Sequence, residues 1–312
     1  MKLILLIVFL LNFSSCKKEE EKVPSSPKLI EKIKPLKINT KKELEIFNKA
    51  VRNGDIEKIK KVMYAQLPEN EANTLLDELV KEYGTANIIL WSSAPVGDLE
   101  SVKKAIELGA DVDIEVRGSS TPLLSSTQAQ NLEIVKILLK NKADPNKRGK
   151  GGETPLSLAV SASNKELITL LLDSGASFTR GGDPTYKEFS ILTVALSQGK
   201  LDIVEFLIEK GADPNGGNGL PLAFSIMLKN ADAIKLLISK GADVNYSGKK
   251  GFRPLMTAVI EGDKKIIQTL LELGANPTLK DEQGMDAFAW AKKYKSNGGK
   301  ILKKLIDQRA KK

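Results

Sequence analysis

Leu201-Asp202-Ile203-Val204-Glu205-Phe206-Leu207-Ile208-Glu209-Lys210-Gly211-Ala212-Asp213-Pro214-Asn215 decides the fold. Ile203, Val204, Leu207 and Ile208 recur at i, i+1, i+4 and i+5, which puts them on one face of a helix. Gly211 then stands where a helix end takes a left-handed residue at least cost. The stretch reads as the second helix of a repeat, followed by its stop.

Aligned on Gly-Ala-Asp, the chain repeats itself. The copies are Gly109-Ala110-Asp111-Val112-Asp113, Lys142-Ala143-Asp144-Pro145-Asn146 with lysine in the glycine slot, Gly175-Ala176-Ser177, Gly211-Ala212-Asp213-Pro214-Asn215, Gly241-Ala242-Asp243-Val244-Asn245 and Gly274-Ala275-Asn276-Pro277. Their spacings of 33, 33, 36, 30 and 33 residues define a period typical of stacked supersecondary units. Upstream of the anchors stand Thr121-Pro122-Leu123, Thr154-Pro155-Leu156, Leu220-Pro221-Leu222 and Arg253-Pro254-Leu255. Proline is tolerated in a first helical turn, where its missing N–H costs nothing. The small residues Ala159, Ala195 and Ala258 follow, and Gly97, Gly199 and Gly262 mark a turn between two helices.

This pattern resembles the ankyrin repeat: Thr-Pro-Leu, a short helix, a glycine turn, an Ile-Val-x-x-Leu-Leu helix, then Gly-Ala-Asp-x-Asn. Six units match from about Ile88 to Thr278. A degenerate unit precedes them, with Phe47, Ala50, Val51, Gly54, Ile59 and Val62 in register. Another follows, with Gly284, Ala287, Phe288, Ala291, Ile301, Leu302, Leu305 and Ile306. The resemblance implies an all-α solenoid of helix–turn–helix units with projecting turn tips, its ends capped by polar faces. Where the family carries histidine after Thr-Pro-Leu, this chain has Leu124, Ser157, Thr193, Ala223 and Met256. The stack is therefore expected to rely more on apolar packing. Leu75, Leu76, Leu79 and Val80 predict an extra helix within Asn73 to Tyr83.

The N-terminus reads differently. Lys2 and the apolar run Leu3 to Leu11 lead to Asn12-Phe13-Ser14-Ser15-Cys16. The run is shorter than the ~20 residues of a membrane-spanning helix and reads as an export signal. Its end resembles a bacterial lipobox of the looser kind that spirochaetes accept. That implies lipidation of Cys16, the only cysteine in the chain. Lys17 to Lys42 is charged and contains Pro and Ser, a solvated tether. The expected boundaries are a signal over 1–16, a tether over 17–42 and a repeat domain over 43–312. The expected location is a bacterial envelope, with the outer membrane favoured by Lys17.

With no histidine at all, catalysis by a histidine base and Cys/His zinc sites are excluded. Asp111, Asp144, Asp213 and Asp243 occupy the Gly-Ala-Asp slot and are expected to stabilise turns. Neither Gly181-Gly182-Asp183-Pro184 nor Gly216-Gly217-Asn218-Gly219 ends in the Lys-Ser/Thr of a phosphate loop. Trp91 and Trp290 are expected to pack in the core. No cofactor and no metal are expected, and the chain reads as a non-enzyme and a monomer. The excess of nine Lys and Arg over Asp and Glu hints at an acidic partner.

The resemblance places partner binding in a concave groove, lined by the ends of first helices and by turn tips. Carried onto this sequence, the positions are Arg117, Gln128, Lys150, Tyr186, Lys187, Phe189, Gln198, Met227, Leu228, Lys249, Lys250, Phe252 and Ile260. Met227, Leu228 and Ile260 are expected on a wet face, which marks an interaction site, with Tyr186, Phe189 and Phe252 as aromatic anchors. The 36- and 30-residue spacings predict a long tip beside a stunted one and a notch between them. The implied function is a tethered scaffold, inhibitor or immunity-type module that binds another protein, one with an acidic segment. Two alternatives stand beside it. An envelope polyanion binder would show binding that falls steeply with salt; nucleic acid is the least favoured such ligand. An unrecognised envelope enzyme would show in a hydrolase screen.

Overall fold

The computed structural model describes residues 80–116, 120–179 and 190–310, all within the larger of the chain's two units, Lys42–Lys312. Residues 80–83 are helical and stop at Gly84, so the C-terminal end of the expected extra helix is present. Seven helix pairs follow among the described residues: α1 (Thr85–Ser93) and α2 (Leu99–Glu107), α3 (Pro122–Gln128) and α4 (Leu132–Lys140), α5 (Pro155–Ser161) and α6 (Lys165–Asp173), α7 (Ile191–Ser197) and α8 (Leu201–Glu209), α9 (Gly216–Met227) and α10 (Ala231–Ser239), α11 (Pro254–Glu261) and α12 (Lys264–Glu272), α13 (Ala287–Lys293) and α14 (Gly298–Arg309). The architecture is the expected all-α solenoid. The described residues form no strand beyond one isolated bridge, Thr179 with Ser190.

Each unit starts as its sequence dictates. The side chains of Thr121, Thr154 and Ser190 accept the amides of Leu124, Ser157 and Leu192, capping α3, α5 and α7. Such caps contribute about 1 kcal/mol each. The leucine after each helix-opening proline, at Leu123, Leu156, Leu222 and Leu255, is buried. Second helices bury the same stripe each time: Ile134, Val135 and Leu138; Leu167, Ile168 and Leu171; Ile203, Val204 and Leu207; Ile266, Ile267 and Leu270. Each such side chain contributes roughly 1.5–3 kcal/mol at most. Consecutive first helices from α3 to α13 pack on one another across the fully buried Ala159, Ala195 and Ala258. Their lack of bulk permits that approach, and each unit meets its neighbours.

The missing histidines are replaced in two ways. Leu124 and Met256 are buried, and Ser157 turns back to accept the Thr154 amide at 2.9 Å. The units are also tied outside the core, by a row of side chains that the expectation of greater reliance on apolar packing did not include. Asn146 accepts the Ser177 amide and donates to the Gly175 carbonyl. Asn215 does the same with Asp243 and Gly241, and Asn245 with Asn276 and Gly274. Inside each turn, Asp111, Asp144, Asp213 and Asp243 accept the amide two residues on, as expected of turn aspartates.

Candidate functional site

Between the helices of each pair, one residue adopts a left-handed backbone: Gly97, Gln130, Ser163, Gly199, Lys229, Gly262 and Lys295. The residues just before these positions form a row along the ends of the first helices. Gln128, Ala129, Ser161, Ala162, Ser197 and Gln198 are exposed in it. Polar bonds join neighbours along the row: Asn164 donates to Gln130, and Gln198 donates to the Ser161 hydroxyl at 3.0 Å. The chemistry of this stretch is small and hydrogen-bonding.

Further along, the row changes character. Met227 is half-buried, and Leu228 is one of three large apolar side chains exposed among the described residues, at 46 %. Ile260 departs from expectation. It is buried, at 8 % exposure, because α13 and α14 of the last unit pack against α11. Ser296 on the α13–α14 turn donates to the Val259 carbonyl beside it. The row then continues, beyond where the sequence reading ended it, to exposed Lys293 and to Tyr294, which is 41 % exposed.

The turn tips supply the rest of the surface. Gly149 to Glu153, Gly248 to Phe252 and Asp281 to Met285 share one hairpin, closed by paired backbone bonds of 2.9–3.0 Å. Lys150, Lys249 and Lys250 are exposed on these tips. The last two tips touch: the Glu282 amide donates to the Lys250 carbonyl at 3.0 Å, and a Cβ on Gly251 would lie 2.9 Å from the Asp281 Cα. Phe252, expected as an aromatic anchor, is half-buried. Its ring meets that of Trp290 edge-on, with centroids 5.0 Å apart. Trp290 is half-buried rather than a core residue, and its indole donates to Asp281 at 2.7 Å. Burial pushes the Asp281 carboxyl up, but bonds from Met285 N, the Trp290 indole and Gln283 N, with the Lys293 charge, hold it below the ordinary carboxylate range.

The stunted tip is present, while the long tip expected to wall the notch falls on residues 180–189, outside the described residues. Gly217, Asn218 and Gly219 make one left-handed turn that runs straight into the helix. The Tyr246 ring closes over it, since a Cβ on Gly219 would lie 2.6 Å from Tyr246 Cδ1. Arg117, Tyr186, Lys187, Phe189, Cys16, the tether and the degenerate first unit lie outside the described residues.

On the opposite side, an open depression of about 450 Å³ lies between α10 and α12, lined by Lys235, Lys264, Lys265, Gln268, Thr269 and Glu272. It carries no apolar side chain, unlike ordinary small-molecule sites. The described residues hold no group of three or more acidic residues able to bind a metal. None of their helices is long and apolar enough to cross a membrane.

A family model described as ankyrin repeats (3 copies) matches residues 89–181, 141–218 and 192–281, together more than half of the chain. The chain belongs to the ankyrin-repeat family. Ankyrin repeat and SOCS box protein 3 of Bos taurus is 40% identical over 114 residues, which cover 35% of this chain and 22% of that protein. The ankyrin-repeat domain of human ASB11 is similar at 25% identity and a TM-score of 0.52, covering 69% of this chain and 96% of that one. The ankyrin-repeat domain of Bcl-3, a member of the IkappaB family, shares the fold at 24% identity and a TM-score of 0.56, over 69% and 97% of the two chains. Ankyrin-repeat domains are generally protein-interaction modules, and this chain carries one.

Proposed function

We propose that this ankyrin-repeat protein is a non-enzymatic scaffold or inhibitor, held in a bacterial envelope by a lipid on Cys16. Its partner is another protein, lying in a concave groove along the first-helix row. The observation that carries the reading is the row itself. From Gln128 to Leu228 the first-helix ends are exposed, while the faces behind them are filled by core side chains. Small side chains at Ala129, Ser161 and Ala162 leave the backbone open to a partner's approach. The tether reading is supported by the apolar run that ends at the sole cysteine. Multiple acyl chains, at about 0.8 kcal/mol per buried methylene, anchor a protein stably where a single chain does not.

Two experiments test the two halves. A photo-crosslinking residue at Gln198 is expected to capture a discrete protein from native envelopes, and the same residue at Gln268 on the outer side is not. Capture at Gln268 alone would place the partner elsewhere. Cys16→Ala is expected to move the protein from the membrane fraction to the soluble one. Unchanged fractionation, with no acyl mass on the mature N-terminus, would remove the anchor.

A further inference from the structure

We infer that the last two units form a separate anchoring point within that groove, one that takes an acidic protein segment through an aromatic side chain stacked on Tyr294. The inference rests on the proposed protein-binding role and names the chemistry of the partner at this end. Phe252, Trp290 and Tyr294 form a continuous line of rings. Phe252 meets Trp290 edge-on, and Tyr294 stacks on Trp290 at 5.6 Å with planes 21° apart. Both separations lie in the range where aromatic pairs attract. Tyr294 sits one turn beyond Trp290 on the same helical face, so the stack is set by the i, i+4 geometry of α13. Three of the chain's few aromatic side chains are thus gathered at the last two units, beyond a row that is small and polar from Gln128 to Gln198 and apolar at Met227 and Leu228.

The exposed charge around these rings is mainly positive, Glu282 being the exposed carboxylate among them. Lys250 on the adjoining tip and Lys295 next to Tyr294 are exposed, and neither has an ion-pair partner among the described residues. Lys293 places its ammonium 4.5 Å from the Trp290 centroid, a cation–π arrangement. The nearby acids are mostly engaged. Asp281 accepts the Trp290 indole and the Gln283 and Met285 amides, and Asp286 caps α13 through Ala289 N, which leaves Glu282 as the exposed carboxylate of the two touching tips. A ring surface exposed to water beside unpaired lysines complements a segment with an aromatic residue between acidic ones. Buried aromatic anchors carry most of the energy at protein interfaces, and the surrounding charges steer encounter.

The test uses the full chain carrying Trp91→Phe, so that Trp290 is the only indole. The probe is a pentapeptide with one phenylalanine between pairs of glutamates, blocked at both ends. Its addition is expected to change Trp290 emission saturably. Tyr294→Ser, and separately the double change Lys250→Glu with Lys295→Glu, are expected to weaken binding by about tenfold or more each. These positions are exposed, and circular dichroism checks that the fold is kept. A peptide with glycine in place of phenylalanine is expected to bind at least about tenfold more weakly. No emission change at millimolar peptide, or equal binding by a folded Tyr294→Ser protein, would overturn the inference. Equal binding of the glycine peptide, with full competition by a sulfated oligosaccharide, would instead make this a general polyanion surface. Partner capture at Gln198 that survives these variants would separate failure here from failure of the groove reading.

Discussion

The turn row ties its units together unevenly, well at Asn146, Asn215 and Asn245 and poorly at Asp113 and Thr179. At Asn146, Asn215 and Asn245 one amide side chain spans each joint with two bonds, accepting at 2.8 Å and donating to the next glycine's carbonyl. At the first such joint the residue is Asp113, whose carboxylate accepts the Asp144 amide through both oxygens at 3.1 Å but has nothing to donate. At the third joint the slot holds Thr179. Its amide bonds to Ser177 within the same turn, and among the described residues no bond joins it to Asp213. The joint there is a Phe178 ring against Gly211 and the isolated Thr179–Ser190 bridge. One atom substitution, a carboxylate oxygen in place of the amide nitrogen, halves a joint. Loss of the asparagine removes it.

The largest effect expected is at the C-terminal end of the stack. Deleting residues from Asp281 onward removes the helices that cover Ile260 and the Arg309 bond to the Leu271 carbonyl. Exposing two or three buried side chains at roughly 1.5–3 kcal/mol each predicts a loss on the order of 5 kcal/mol. Urea denaturation and solubility measure it, and a truncated protein as stable as the whole would show that this unit is no cap. Next comes the contrast itself. Asn245→Ala is expected to cost about 1–2 kcal/mol, from two bonds at about 1 kcal/mol each. Thr179→Ala is expected to cost less than about 0.5 kcal/mol, the usual size of surface changes. Equal costs would mean that the asparagine row does not hold the stack.

Lys142 offers a gain. It stands at φ 68° where five other units place a left-handed glycine at this helix stop, Gly109, Gly175, Gly211, Gly241 and Gly274. Lys142→Gly is expected to stabilise by roughly 0.5–1 kcal/mol, the left-handed penalty less the extra unfolded-state entropy. Thermal unfolding of the two proteins decides the sign.

The smallest change has the clearest pH signature. Burial, with the charges of Asp144 and Asp111, pushes the Asp113 carboxyl above its ordinary value, against the Asp144 amide and Lys147, which lower it. A folded-state value above the unfolded one favours the protonated form on folding. Its stability contribution is therefore complete below the unfolded value, about 3.9, and is lost as pH rises through the folded one. Asp113→Asn removes that loss and supplies a donor towards the Lys142 carbonyl, as Asn146 has towards Gly175. Its advantage in melting temperature is expected to grow from about pH 3 to pH 7 across that window. An advantage constant with pH would trace to the new bond alone.

Much of this was legible in the chain. The helix pairs, their stops and the caps Thr121 and Thr154 follow from local spacing. So do the turn aspartates, since each bonds within two residues of itself. The asparagine row was half legible. Asn215 and Asn245 were visible as repeated letters, but their partners stand 28 and 31 residues away, across a joint that no local pattern describes. Ile260 misled because its helical position matches that of half-exposed Met227, and the packing of α13 and α14 distinguishes them. Tyr246 was missed because its role is to lie on a glycine of the preceding unit.

The sequence by itself determined that this is a stack of two-helix units, where each helix begins and ends, and which stripe faces inward. Those properties depend on residues within one turn of one another, and the period repeats them in every unit. Only the tertiary structure decided which row positions meet water, which joints are bonded, and that Phe252, Trp290 and Tyr294 lie ring to ring. Exposure and pairing depend on what the neighbouring unit brings, and two units of near-identical pattern can bring different neighbours.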